Sequence, residues 1–229
     1  MQALQILNQE ITRCRHCPRL VEYREAVARS KKRAYLDWEY WGRPVPGFGD
    51  PRARLFVIGL APAAHGGNRT GRVFTGDRSG DFLYQALYDA GFASQPTSVS
   101  RDDGLALHDA YIGAAVRCAP PDNKPAPDEI RNCRPYLERE LASLKHLKVV
   151  VALGRLAFDV YLSLLRDERK ITTRSAFVFA HGAEHKTGDG QPLLISSYHP
   201  SQQNTFTGKL TPIMLLKVFQ RARAHFDRP

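Results

Sequence analysis

The stretch LFVIGLAPAAHGGNRTGRVFTGDRSG, residues 55–80, joins an apolar run to a loop rich in glycine and small residues. The run from Leu55 to Leu60 is typical of a buried strand in a parallel sheet. The loop contains neither GxxxxGK[ST] nor GxGxxG, so the sequence supports neither a nucleotide P-loop nor a dinucleotide turn. Instead, small residues would let main-chain N–H groups face a bound molecule, at Gly59, Ala61, Ala63 and Ala64.

Three more apolar runs predict the remaining strands of this sheet: Ala110 to Val116, Val149 to Leu153 and Leu193 to Ser197. Helical patterns lie between them, at 79–91, 127–146 and 154–166. Phe177 to Ala180 is a candidate edge strand, and Thr211 caps a predicted last helix. The sequence therefore predicts an α/β fold, a three-layer αβα arrangement with a central four-stranded, mainly parallel sheet.

The composition bounds the class of protein. A length of 229 residues lies between one domain and two, and the simplest expectation is one domain spanning 1–229, with residues 1–50 as an N-terminal extension. The chain has no apolar run of about 20 residues and no leader pattern, which predicts a soluble, cytoplasmic protein without a membrane partner. We also expect a monomer. The formal net charge of +10 fits a polyanionic partner and fits a basic surface without a dedicated ligand equally well.

Four cysteines form two pairs in the sequence. Cys14 and Cys17 are two residues apart in a CxxC pattern, whereas fourteen residues separate Cys118 from Cys133. A CxxC with two further cysteines favours metal binding over buried free thiols, and a reducing compartment disfavours disulfides. Four thiolates suit zinc or an iron–sulfur cluster, and spacing alone does not choose between them. Either would tie the N-terminal segment to the α/β body.

A second loop, SSYHPSQQNTFTGKL at residues 196–210, follows the last predicted strand. Ligands of open parallel sheets bind at the carboxyl ends of the strands, so we expect this loop to share a crevice with the glycine-rich one. His199 is a candidate for that site. Phe74 is suited to stacking on a flat ring and Asp77 supplies a carboxylate, although core packing and helix N-capping are competing explanations for these two residues.

The motifs GLAPAAHGG, GRVFTGD and HPSQQNTFTG, together with the four cysteines, resemble the uracil-DNA glycosylase superfamily along nearly the whole chain. The resemblance is closest to family 5, the type B iron–sulfur enzymes. Family 4 shares the cysteine pattern and the HPS loop but carries an acidic residue in the first motif, where this chain has GLAPA.

The resemblance implies a DNA-repair glycosylase that hydrolyses the N-glycosidic bond of uracil, and of other deaminated bases such as hypoxanthine and xanthine, after flipping the base out of the duplex. It implies an oxocarbenium-like transition state with Asp77 and His199 as catalytic residues. Substrate-binding positions would be Gly59, Leu60, Ala61, Ala63, Phe74 and Asn123. A [4Fe–4S] cluster, or less favourably zinc, would be held by Cys14, Cys17, Cys118 and Cys133.

The partner implied is DNA containing deaminated bases. The loop after His199 would enter the minor groove beside the lesion. Expected DNA contacts are Ser201, Gln202, Gln203, Asn204, Arg69, Arg72 and Lys209. Two other functions compete: a non-catalytic iron–sulfur or zinc module that binds nucleic acid, and a metal-dependent nuclease. The nuclease ranks last because the crevice loops offer a single motif carboxylate, Asp77.

Overall fold

A computed structural model describes residues 2–226 of the chain, so Met1 and residues 227–229 of the predicted domain lie outside it. The helices are α1 Gln2–Arg13, α2 Pro18–Ser30, α3 Gly67–Thr70, α4 Arg78–Asp89, α5 Pro127–Ser143, α6 Arg155–Asp167, α7 Gln202–Phe206 and α8 Pro212–Ala224. The strands are β1 Phe48–Gly49, β2 Leu55–Gly59, β3 Ala110–Ala114, β4 Val149–Leu153, β5 Glu184–His185 and β6 Leu193–Ser197.

One sheet joins these strands in the order β1-β3-β2-β4-β6-β5. The four central strands are parallel, which confirms the predicted core of the sheet. The outer two are short and antiparallel, so the sheet has six strands where the sequence predicted four. The predicted edge strand 177–180 is wrong: this segment is irregular, and its Phe177 and Phe179 side chains pack inward while β5 occupies the edge.

Alternating side chains of the central strands pack into two hydrophobic cores, one on each face of the sheet, which makes the domain three-layered as predicted. Leu55 and Val57 of β2 face a core built with α4 and α8, whereas Phe56 and Ile58 face a second core built with α1, α5 and α6. Leu7 of α1 belongs to this second core, so the N-terminal extension is packed on the body. None of the helices described within residues 2–226 is long and apolar enough to span a bilayer.

The strand order creates a switch point beside β2. The chain moves from β2 to β3 on one side and then crosses to β4 on the other, so the connections after β2 and β4 run in opposite directions. Such points open a crevice at the carboxyl ends of the strands. In this fold those ends are Gly59, Leu153 and Ser197.

Candidate active site

The two predicted loops meet at the carboxyl end of β2. The Phe74 ring lies directly on Gly59, where a Cβ would be 2.8 Å from two ring carbons. The ring of His199, beyond the end of β6, has its centroid 5.8 Å from that of Phe74, with 34° between the planes. Phe74 also has a left-handed backbone, with φ of 50°, which is unusual for a bulky residue. Strained backbone of this kind is often found at active sites and ligand-binding sites.

The backbone between β2 and α3 presents unpaired donors. The carbonyls of Gly59 and Leu60 accept the N–H groups of Ala115 and Val116 at 2.9 and 2.8 Å, which anchors the start of the loop. Beyond it, the N–H groups of Ala61, Ala63 and Ala64 have no acceptor among the described residues, and the three residues are half-buried. Adjacent main-chain donors of this kind favour a negatively charged atom.

Asp77 contacts both Gly66 in the glycine-rich loop and Gly80 at the start of α4. Its Oδ1 accepts the N–H of Gly80 at 3.0 Å, so it is the N-cap of α4, as the competing explanation required. Its Oδ2 lies against Gly66, where a Cβ would be only 2.0 Å away. Burial raises the pKa of Asp77, while the N–H groups of Gly80 and Ser79 and the charge of Arg69 oppose that rise. Of the two carboxylate oxygens, Oδ1 makes the capping bond to Gly80, and Oδ2 is the one that faces Gly66.

His199 is a neutral imidazole in this site. Burial lowers its pKa to about 4, so the ring carries no charge at neutral pH and has one N–H that a ligand could accept. The chain of β4 turns at Gly154 with φ of 93°, and a Cβ there would lie 3.2 Å from the Cβ of His199. Asn204 donates to the carbonyl of His199 at 2.9 Å. Both contacts fix His199 beside Phe74.

The four cysteines converge behind the same loop. Cys118 and Cys133 are buried in a small hydrophobic cluster against which Cys17 packs, and Cys14 lies within electrostatic range of Cys17 and Cys118. All four are free thiols. Across residues 2–226, no three His, Cys, Asp or Glu side chains are grouped to hold a metal ion. Burial raises the pKa of Cys118 to about 11 and that of Cys133 to about 12.

The buried side chain of Arg24 places a positive charge beside the thiol cluster and so indicates negative charge there. Its side chain is 2% exposed, and Nη1 lies 2.9 Å from the Sγ of Cys118. Its Nε is buried without a partner, and Glu25 approaches no closer than 3.8 Å. A buried guanidinium without a close anion is costly. The negative charge of a group bound by thiolates would compensate it, so the donor set fits such a group.

The comparison with known proteins agrees with this geometry. The sequence model of the Uracil DNA glycosylase superfamily matches residues 46–223. The chain belongs to the uracil-DNA glycosylase superfamily. It is 52% identical over 215 residues to the type-5 uracil-DNA glycosylase of Thermus thermophilus, which covers 94% of each chain. It is also 52% identical to that of Mycobacterium tuberculosis, over 95% of this chain and 80% of the relative.

More distant members of the superfamily share less of the sequence. The type-5 uracil-DNA glycosylase of Pyrobaculum aerophilum is 46% identical over 214 residues, 93% of this chain and 89% of that protein. The type-4 uracil-DNA glycosylase of Archaeoglobus fulgidus is 30% identical over 158 residues, 69% and 70% of the two chains. These identities place the chain with the type-5 glycosylases, as the motifs predicted.

In this superfamily member, the loop after His199 contains the short helix α7. Gln202 and Gln203 are exposed on it, Ser201 is its N-cap residue and Lys209 is exposed beyond it. Their expected DNA contacts stay a prediction. Asn204 differs from these residues because its amide is engaged with the carbonyl of His199.

Arg72, an expected DNA contact, is buried in an ion pair. Its side chain is 3% exposed and forms a bidentate pair with Asp103, at 2.9 and 2.7 Å, and a bond of 2.8 Å to Ser98. Burial alone would raise the pKa of Asp103, but hydrogen bonds from Arg72 and from backbone N–H groups lower it to about 2. Arg72 is therefore an internal ion-pair residue in this structure, and a contact with phosphate would require this pair to open.

Arg69 is also buried, with 3% exposed. Its guanidinium lies 3.9 Å from the ring centroid of Tyr35 and 4.0 Å from that of Trp38. It donates to the carbonyls of His65 at 2.8 Å and Gly76 at 2.6 Å. These contacts brace the loop just before Asp77, so Arg69 shapes the site and, like Arg72, does not reach a phosphate in this conformation.

Asn123 stands apart from the other predicted site residues. It is exposed, with φ of 57°, on a 3-10 turn beside Lys124, whose carbonyl accepts a hydrogen bond from Arg19. None of the contacts described for residues 2–226 joins it to Phe74 or His199. Sequence reasoning missed Arg24, because an arginine in a basic helix carries no local sign that it is buried.

Proposed function

We propose that this protein hydrolyses the N-glycosidic bond of deoxyuridine in DNA, releases uracil and leaves an abasic site. The observation that carries the proposal is the meeting of Phe74 and His199 at Gly59, beside three unpaired loop N–H groups. An aromatic ring, a neutral hydrogen-bond donor and main-chain donors are what an extruded base with a developing negative charge requires. The relatives named above carry this activity in their names.

On the base side, Phe74 stacks on the flipped uracil. As the bond breaks, the electron pair stays with the base, and negative charge collects on its carbonyl oxygens. The N–H groups of Ala61 and Ala63 and the N–H of His199 stabilise that charge, while Gly59 and Leu60 supply the backbone on which the base lies. A neutral His199 can fill this role, since the uncharged imidazole still has one N–H to donate.

On the sugar side, C1′ becomes oxocarbenium-like and needs a water molecule as nucleophile. The side chains of Ala61, Pro62 and Ala63 cannot hold that water. Asp77 fills the role: one oxygen caps α4 and the other is available to orient the water or to stabilise the cation. The water oxygen bonds to C1′, its proton passes to solvent or to the leaving base, and uracil departs.

We extend the substrate range to hypoxanthine and xanthine. The strand that follows the switch point, YIGAAVRC at residues 111–118, has no amide side chain to read the uracil edge. A pocket without such a reader discriminates less among bases. Release of uracil alone from a panel of duplexes carrying each lesion would reject this extension.

We assign a [4Fe–4S] cluster to Cys14, Cys17, Cys118 and Cys133. The buried charge of Arg24 beside the Sγ of Cys118 supports a bound group whose sulfur ligands are thiolates. Zinc, the less favoured alternative, would be held by the same four thiolates. When bound, the cluster supplies a rigid tie between the helices α1 and α2 and the α/β body.

The test is base release from a labelled duplex with one deoxyuridine, in the presence of a metal chelator, followed by alkali. A strand break only after alkali establishes a monofunctional glycosylase. The same duplex with thymidine is the substrate control and His199→Ala is the protein control. If folded wild-type protein binds the duplex but releases no base, the proposed function fails and the nucleic-acid-binding alternative replaces it.

A further inference from the structure

Arg24 connects two parts of the molecule that the proposed function treats separately. Its guanidinium faces the thiol cluster, with Nη1 2.9 Å from the Sγ of Cys118 and both terminal nitrogens bonded to the carbonyl of Cys14. Its own main-chain carbonyl accepts the Nδ2 of Asn68 at 3.1 Å. Both side chains are buried, with 2% of Arg24 and none of Asn68 exposed.

Asn68 belongs to the glycine-rich loop of the active site. Its N–H donates to the carbonyl of Ala63 at 3.1 Å, and its carbonyl accepts the N–H of Gly42 at 3.0 Å. Ala63 carries one of the two loop N–H groups assigned above to the departing base. A continuous set of contacts therefore runs from Cys118 through Arg24 and Asn68 to the donor loop.

Among the described residues, no carboxylate lies close to the charge of Arg24. Glu25 lies 3.8 Å away at the rim and forms a closer ion pair with Arg15. The Sγ of Cys118 is the nearest acceptor, and as a metal-bound thiolate it would carry the missing negative charge. Hydrogen bonds from cations to cluster sulfurs stabilise the cluster and raise its reduction potential.

We propose that Arg24 is a positioning residue that compensates the charge of the Cys118 thiolate and, through Asn68, holds the donor loop in place. The inference rests on the proposed four-thiolate cofactor. It makes cluster binding and loop geometry depend on one side chain, because a displaced Arg24 would move the carbonyl that holds Asn68. Arg24 does not touch the substrate.

The experiment uses holoprotein purified or reconstituted without oxygen. Arg24→Met removes the charge, Arg24→Lys keeps it, and Asn68→Ala cuts the link to the loop. Arg29→Met, at an exposed position of the same helix, is the matched control. The readouts are iron and sulfide content, the rate at which visible absorption fades in chelator, the midpoint potential, and single-turnover uracil release at saturating DNA.

We expect Arg24→Met to lose its cluster about tenfold faster than wild type and to have a lower midpoint potential, with Arg24→Lys in between and Arg29→Met unchanged. Asn68→Ala should keep the cluster but release uracil about tenfold more slowly. The double variant Arg24→Met/Asn68→Ala should be no slower than the slower single variant, since both residues act through one connection.

Several results would overturn the inference. Unchanged cluster loss and potential in folded Arg24→Met would reject charge compensation, and additive losses in the double variant would reject the link. If wild type binds zinc, the same variants are compared by zinc release to a chromogenic chelator. If wild type binds neither iron with sulfide nor zinc, the proposed cofactor fails and Arg24 lacks its partner, yet base release would still test the proposed function.

Discussion

Asp77→Asn separates the two roles that the structure gives to one carboxylate. Asparagine caps helices as well as aspartate does, so the bond to the N–H of Gly80 persists and α4 keeps its start. What the amide cannot do is orient a nucleophilic water as an anion or stabilise an oxocarbenium ion. Asp77→Ala, in contrast, loses both roles.

The magnitudes follow from these contacts. Loss of one preorganised electrostatic group lowers the chemical rate by about 10²–10³-fold, or about 2.7–4 kcal/mol of barrier, and we expect this for both variants. Loss of the cap destabilises Asp77→Ala by about 1 kcal/mol, while Asp77→Asn should stay within about 0.5 kcal/mol of wild type.

The pH dependence has a definite sign. Since burial raises the pKa of Asp77 in the folded state, the folded protein binds this proton more readily than the unfolded chain does. Wild-type stability should therefore rise, relative to Asp77→Asn, as pH falls through that raised pKa. Uracil release should fall over the same range because the anion is lost, and this acid limb should be missing from Asp77→Asn.

The assay pairs single-turnover uracil release at saturating duplex with urea unfolding of the same preparations, from about pH 4 to pH 8. Glu and Asp residues elsewhere affect both proteins equally, so the difference between them isolates Asp77. If Asp77→Asn releases uracil within about threefold of wild type, the carboxylate is a helix cap alone and the proposed catalytic role is refuted.

Three further predictions test the rest of the site. His199→Ala should lower the rate of single-turnover uracil release about 10²–10³-fold. The pH profile of wild-type release should show no inflection from His199 between about pH 5.5 and 8.5 because burial lowers its pKa to about 4. An inflection in that range that His199→Ala abolishes would contradict this. Gly59→Ala should displace the Phe74 ring, which a Cβ would approach to 2.8 Å, and lower kcat/KM in a duplex-release assay with little change in Tm; unchanged kinetics would show that the ring does not hold the base. Arg72→Met should lower the free energy of unfolding in urea by about 3–5 kcal/mol without changing the salt dependence of DNA binding. Lys209→Met should instead reduce the slope of log K for DNA binding against log salt concentration by about 0.9. Equal slopes for Lys209→Met and wild type would remove Lys209 from the phosphate contacts.

The sequence predicted the parts of the fold that depend on local pattern. Continuous apolar runs identify the four buried parallel strands because both faces of each are covered. The edge strands β1 and β5 have two residues each, too short for any periodicity. The error at 177–180 arose because Phe177 and Phe179 alternate as strand residues do, although their rings pack on the core from irregular backbone.

At the site, the sequence indicated which residue types gather but not how each is partnered. Phe74 and His199 lie on two loops whose meeting follows from the parallel order of the strands. The expectations for Arg69 and Arg72 had one basis: a positive charge in a loop suggests a phosphate, and the loop sequence does not show the side chains elsewhere in the chain that each guanidinium contacts. For Arg72 the partner is Asp103, and for Arg69 it is a pair of aromatic rings.

The two-residue strands at the two edges of the sheet limit strand pairing between copies of this protein. A long uncovered strand would offer its row of N–H and C=O groups to a neighbouring chain, and the hydrophobic parallel strands inside would make such pairing persistent. Here each border ends after Phe48–Gly49 or Glu184–His185 and gives way to irregular backbone. A second molecule would find only two residues to pair with on either border, which protects a valine- and leucine-rich sheet against edge-to-edge aggregation.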